Sequence, residues 1–324
     1  MNTFRIDLWD GDEYSYPRAF GFRPNLHAYL HDEDAGLRPC MIIVPGGAYC
    51  HVSLTEGELP AMAFYKAGWQ CFGLTYTVNA FDLAPAREQP LRDLSRAVRT
   101  VRARAAEWHL DPKRVVLCGF SAGGHLAGSL AVHWDRMTDA KYPEISSRPD
   151  AAVLSYPVIT TGAFAHRGSF EYLLGKDATP AELADASLET QVRGDTPPLF
   201  LWSTVTDASV PCENSEMMAD ACRRAGVPHA LHIFSSGKHG LSVATEAWAR
   251  GEFGENYCGE QWDAVLKAAE AGDPRLSPEQ RARVREECRS MAEWRKTGAG
   301  ENQANAEVSV WPELAVAWLK AVLG

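Results

Sequence analysis

The chain has 324 residues, of which 46% are hydrophobic, 10% aromatic and 23% charged. That composition excludes a disordered, collagenous or coiled-coil chain and supplies apolar material for a sizeable core. Lys plus Arg number 32 against 42 Asp plus Glu, a formal charge of −10, so a nucleic-acid partner is not expected.

The sequence from Met1 to Tyr14 has neither a basic n-region nor an apolar h-region, and no apolar run approaches the roughly 20 residues that span a bilayer. The expectation is a cytoplasmic protein with no membrane partner. Eight cysteines are scattered with no C-x-x-C pair, which reads as thiols, not as a disulfide framework or a metal site. Arg92, Arg96, Arg99, Arg102 and Arg104 crowd one segment and read as a solvated helix face.

In chain order, strands are expected at Phe4–Leu8, Asn25–Leu30, Cys40–Val44, Cys71–Tyr76, Val115–Gly119, Ala152–Ser155, Leu199–Trp202 and His229–Phe234. Runs such as MIIV, VVLC and PLFLW are almost wholly apolar, as strands are when helices cover both faces of a parallel sheet. Helices are expected at Leu91–Trp108, Ala122–His133, Asn214–Ala225 and Pro312–Val322. The first shows its apolar stripe in Leu94, Ala97, Val98, Val101, Ala105 and Trp108. Strands alternating with helices give an α/β class with a mostly parallel sheet of about eight strands. One domain over residues 1–324 is expected, carrying a polar helical insertion at about 250–306 before the last helix. Within it, Ser277 and Pro278 open a helix to about Lys296, with Gly298-Ala299-Gly300 as its exit.

Four motifs carry chemistry. Gly119-Phe120-Ser121-Ala122-Gly123 lies between an apolar strand and a small-residue helix. A G-x-S-x-G sequence in that context lifts the serine hydroxyl off the sheet on a sharp turn, at a helix N-terminus that favours a developing negative charge. Pro45-Gly46-Gly47-Ala48-Tyr49 follows an earlier strand, and its glycines let backbone N–H groups approach a substrate oxygen. Asp207 sits beyond the strand ending at Trp202, and His239 sits between glycines beyond the strand ending at Phe234. Both fall where open α/β sheets place ligand-handling groups. His125 is expected to pack inside its helix. His229 and His232, three apart on a strand, point to opposite faces and cannot pair on a metal. Tyr49, His51, Tyr156 and Phe170 are candidate substrate contacts. With no H-E-x-x-H, P-loop or G-x-G-x-x-G, neither a metal nor another cofactor is implied.

The order Ser121, Asp207, His239 resembles that of α/β-hydrolase triads. More narrowly, the chain resembles the esterase branch that includes bacterial acetyl esterases, acetyl-xylan esterases and feruloyl-esterase-like enzymes. The resemblance rests on Val44–Tyr49 (VPGGAY), Leu74–Val78, Asp111–Ala127, Ser155–Phe170, Thr206–Pro211, Ser235–Leu241 and the closing WPELAVAWL. It implies an α/β-hydrolase fold, a triad of Ser121, Asp207 and His239, and an oxyanion hole from the N–H groups of Gly46, Gly47 and Ala122. The implied activity is hydrolysis of short acyl esters, acetyl foremost, on small molecules such as acetylated saccharides. A homo-oligomer is compatible with this reading. Alternatives on the same fold are a prolyl-oligopeptidase-type peptidase and an arylformamidase. Where related lipases carry His-Gly-Gly-Gly, Pro45 and Ala48 replace the first and last residues.

Overall fold

The computed structural model describes residues 1–32, 36–255, 257–297 (backbone alone from 292) and 302–324. Its strands are β1 Asn2–Asp7, β2 Asn25–Leu30, β3 Arg38–Val44, β4 Gln70–Thr75, β5 Leu110–Phe120, β6 Ala151–Ser155, β7 Leu199–Thr204 and β8 His229–Phe234. They form one sheet in the order β1-β2-β4-β3-β5-β6-β7-β8. The two ladders made by β2 are antiparallel and all others are parallel. The α/β-hydrolase class follows. β3 and β5 lie at the centre, so the Pro45 turn and Ser121 emerge side by side at the sheet's C-terminal edge.

The helices are α1 Glu58–Lys66, α2 Gln89–Ala103, α3 Ala122–His133, α4 Arg167–Leu174, α5 Pro180–Ala186, α6 Glu213–Ala225, α7 Glu246–Ala249, α8 Glu260–Glu270, α9 Pro278–Thr297 and α10 Trp311–Leu323. Every residue of β4, β6 and β7 is buried, whereas β1 is mostly exposed, as an edge strand should be. Trp202 and Trp311 stack at 5.3 Å inside the core. Among the described residues no helix is long and apolar enough to cross a membrane.

Three expectations are corrected or completed here. α2 stops at Ala103, not Trp108, because the chain turns back through His109, whose φ is 50°, and Leu110 N–H bonds Ala105 O. The arginine run is solvated only in part: Arg92 is exposed, but two others are not. Arg96 and Arg99 are buried, with Arg96 on Asp139 and the Leu8 carbonyl, and Arg99 on the carbonyls of Met137 and Ile145. The loop after α3 folds over them and places its carbonyls there. The insertion does form helices, α8 and α9, while the exit expected at Gly298–Gly300 lies outside the described residues. α8 is fastened to the body. Gln261 accepts from Val78 N–H (2.9 Å) and donates to Val78 O (2.7 Å), and the Trp262 indole donates to Cys50 O (2.8 Å).

Candidate active site

Ser121 is the single residue between β5 and α3, at φ 52°, ψ −119°. This is a costly conformation for a residue with a Cβ, and it persists because its neighbours fix it. Ser121 N–H bonds Ser155 O at 3.0 Å, and Val158 N–H bonds Ser121 O at 3.1 Å. The turn needs Gly123, since a Cβ there would lie 2.1 Å from Val44 O.

The structure brings Ser121, His239 and Asp207 into one line. His239 Nε2 is 2.7 Å from Ser121 Oγ, and Nδ1 is 2.6 Å from Asp207 Oδ2. The Asp207 carboxylate can only accept, so Nδ1 carries the proton and Nε2 accepts from the serine hydroxyl. Asp207 Oδ1 accepts from the N–H groups of Ser209 and Val210, both at 2.9 Å. The Asp207 side chain is 1% exposed and that of His239 22%. The histidine loop is tied to the end of β7, where Thr204 and Thr206 hydroxyls donate to Gly237 O at 2.8 and 3.0 Å. Behind it, Asn305 donates to Ser236 O and Glu307 accepts from Ser235 N–H, both at 2.9 Å.

The turn beside Ser121 is strained in another way. Gly47, Ala48 and Tyr49 all have positive φ, 115°, 52° and 60°. At Gly47 a side chain is excluded outright, because a Cβ would lie 2.2 Å from His51 O. Gly46 needs a correction: its N–H donates to Glu56 Oε2 at 2.8 Å, inside the protein. Among the described residues no intramolecular partner appears for the N–H of Gly47 or of Ala122, the first residue of α3.

The candidate substrate contacts disperse. Tyr49 is 1% exposed, with its hydroxyl 2.8 Å from His125 Nδ1. It lines a cavity of about 380 Å³ with His125, Leu126 and Leu173, whose walls do not include Ser121, Asp207 or His239. Tyr156 is buried against the imidazole of His239, with ring centroids 5.0 Å apart. Phe170 is buried with Val158 and Val210, edge-on to His125 at 5.3 Å. His51 is half-buried beside the Gly47 turn, 6.3 Å edge-on from Trp262. His125 is buried, and desolvation pulls it down to about 4, so it is a neutral packing residue. Among the described residues no group of three or more His, Cys, Asp or Glu converges as a metal set would.

Two residues near the site, Glu56 and Trp262, carried no signal in the sequence, and a third, His166, was marked only by its place after the strand next to the nucleophile turn. Glu56 is buried between Gly46 and Tyr156. Trp262 arrives from the insertion. His166, whose Nδ1 is 2.9 Å from Ser169 Oγ, is held below its ordinary value by burial and by the neighbouring imidazole of His239. The only advance signal was that Ser155–Phe170 follows the strand next to the nucleophile turn.

A strained serine between a central parallel strand and a helix, with histidine and aspartate from the next loops of the same sheet edge, defines an α/β-hydrolase. The chain belongs to the BD-FAE family, whose model matches residues 26–222, a span that includes Ser121 and Asp207 but not His239. It is 47% identical over 263 residues to an endo-1,4-beta-xylanase B of Butyrivibrio fibrisolvens, a match covering 81% of this chain and 41% of that protein. It is 33% identical over 208 residues to an acetylxylan esterase of Xylanibacter ruminicola, covering 62% and 41%. The chain thus spans less than half the length of these two relatives. Among solved structures it is similar to an acetyl ester-xyloside bifunctional hydrolase from Caldicellulosiruptor lactoaceticus. That match has 36% identity and a TM-score of 0.70, covering 83% of this chain and 96% of that one.

Proposed function

We propose that this chain is a serine ester hydrolase that removes short acyl groups, acetyl foremost, from sugars or oligosaccharides, with residues 1–324 working as one domain. The observation that carries the reading is the unbroken line from Asp207 through His239 to Ser121, at 2.6 and 2.7 Å. His239 takes the hydroxyl proton as Ser121 Oγ attacks the ester carbonyl, and the electron pair moves to the carbonyl oxygen. The N–H groups of Gly47 and Ala122 hold that oxygen. Collapse expels the alcohol, which takes the proton from Nε2 and leaves the acyl group on Ser121. Water then repeats the sequence and releases the carboxylic acid. Asp207 keeps the imidazole in the productive tautomer and stabilises its cation.

Two facts support the acyl and sugar parts. The names of the relatives above join acetyl esters to xylan or xylosides. Ser121 itself is only 7% exposed, which suits a small acyl group. Glycoside cleavage usually needs two carboxyl groups facing the scissile bond. Here both Asp207 oxygens are taken by His239, Ser209 and Val210, and both Glu56 oxygens by Gly46 and Tyr156. The ester reading is therefore favoured over the xylanase name.

The test is a hydrolysis panel with wild type and Ser121→Ala. It contains p-nitrophenyl acetate, butyrate, octanoate and xyloside, an acetylated xylo-oligosaccharide, methyl ferulate, an aminoacyl-nitroanilide and an N-formyl aryl amide. Ser121-dependent turnover led by the acetyl substrates is expected. Turnover led by the nitroanilide, the formamide or the xyloside would overturn the reading.

A further inference from the structure

We propose that Glu56 is a positioning residue, a second carboxylate that acts on His239 through the ring and hydroxyl of Tyr156. The proposal rests on the reading of His239 as the base. Glu56 closes the short turn Leu54–Glu56 and is 3% exposed. Its Oε2 accepts from Gly46 N–H at 2.8 Å and its Oε1 accepts from the Tyr156 hydroxyl at 2.6 Å. The Tyr156 oxygen in turn accepts from Ser242 N–H at 3.0 Å, three residues past His239. Tyr156 is held at φ 36°, with its ring 5.0 Å from the imidazole. One carboxylate therefore ties the Gly46 turn to the histidine loop across the serine.

The donors around Glu56 favour its ionised form. The N–H groups of Gly46 and Ser242 can only donate. With the Ser242 proton on the Tyr156 oxygen, the phenol proton goes to Glu56. Both Glu56 oxygens are then acceptors of these bonds, and an ionised carboxylate satisfies them all. Burial pushes Glu56 above the ordinary carboxylate range, and the bonds from Tyr156 and Gly46 and the charge of His239 pull it back.

An anion one phenol ring from the imidazole favours the cation that forms as Ser121 loses its proton. Tyr76, Tyr156, Cys118 and Cys258 also surround Glu56, and burial raises all four, so they stay neutral across the working range. His239 faces Asp207, Ser121, Tyr156 and His166, and burial disfavours the charged form of His166. Beside Asp207, Glu56 is a second carboxylate that interacts with this histidine.

The experiment uses Glu56→Gln and Tyr156→Phe in the full chain, with folding checked by circular dichroism and Ser121 by fluorophosphonate labelling. In Glu56→Gln, kcat should fall on the order of tenfold with KM unchanged, the weight of one charge-assisted hydrogen bond. The acidic limb of the kcat/KM profile should move to lower pH by about half to one unit, because the anion favouring the imidazolium is gone. Tyr156→Phe keeps the ring and should also lose kcat on the order of tenfold. A kcat loss with an unmoved acidic limb in Glu56→Gln would reduce Glu56 to a structural prop and overturn the proposal. Should that variant fail to fold, Tyr156→Phe decides alone, and wild-type kcat there overturns it. Retained labelling with an unmoved profile sinks this proposal only. A wild type that the probe does not label sinks the serine reading, and this proposal with it.

Discussion

The two flanks of Ser121 are held by opposite means. On the His239 flank the carboxylate and most of the loop are held from the same sheet edge, with Asn305 and Glu307 added from behind. Asp207 is braced by N–H groups two and three residues on, and the histidine loop is tied to the end of β7. On the Gly46–Tyr49 flank the supports come from separate segments of the chain. Glu56 holds Gly46, the Tyr76 phenol holds Pro45 O at 2.7 Å, Asn79 N–H holds Tyr49 O at 2.8 Å, and Trp262 holds Cys50 O. Three successive left-handed residues leave this flank strained, so it depends on those props. One flank is held mainly by neighbouring strand ends; the other is held by side chains and a helix laid over it.

The comparison breaks most visibly on the first flank. Ser121→Ala should lose about 10⁴–10⁶ in rate on p-nitrophenyl acetate with an unchanged Tm, because triad members act as a unit. Near-wild-type turnover would remove Ser121 from the chemistry. Asp207→Asn should cost roughly 10³–10⁴ in kcat, since an amide leaves the imidazole in the wrong tautomer. A loss below tenfold would make the Asp207–His239 contact incidental.

The second flank should answer in stability first. Gln261→Ala leaves Val78 N–H and C=O without their partner, at about 1–3 kcal/mol for each buried group. Chemical denaturation should show a total loss of about 2–6 kcal/mol. No loss would make the insertion a decoration.

A smaller, pH-dependent effect lies one residue away. Asp93 accepts from the Trp9 indole and Thr77 N–H, both at 2.9 Å, and from Gln89 at 2.8 Å. Burial nevertheless pushes it from 3.8 up to about 6. The folded state therefore binds this proton more tightly than the unfolded chain. Its contribution to stability is complete below about 3.8 and is lost as pH rises through about 6. Unfolding free energies from pH 4 to 7 should differ in slope between wild type and Asp93→Asn, by on the order of 2–3 kcal/mol across the window. Parallel curves would show that Asp93 does not titrate there.

The same contrast explains what could be read from the sequence. The strands from β3 onward are near-continuous apolar runs, and the turn at Ser121 is specified by the residues beside it. Both the sheet and the line of Ser121, His239 and Asp207 were therefore legible. Glu56 was not, because its partners lie 10 and 100 residues away and a lone glutamate in a polar stretch carries no period. Nor were Arg96 and Arg99, whose spacing looked solvated until the loop after α3 covered them. The short helices α1, α4, α7 and α8 gave too few turns to register. α5 did carry a readable sign in Thr179, Pro180 and Glu182, a capping box with proline at the first helical position.

The most direct test of the central claim is to catch the covalent intermediate. The protein would be mixed with p-nitrophenyl acetate, quenched in acid within the first turnovers, digested and analysed by mass spectrometry. An acetyl group on the peptide carrying Ser121, absent from Ser121→Ala, is the predicted result. Rapid hydrolysis with no acylated Ser121 peptide, or with the acetyl group on another residue, would contradict it.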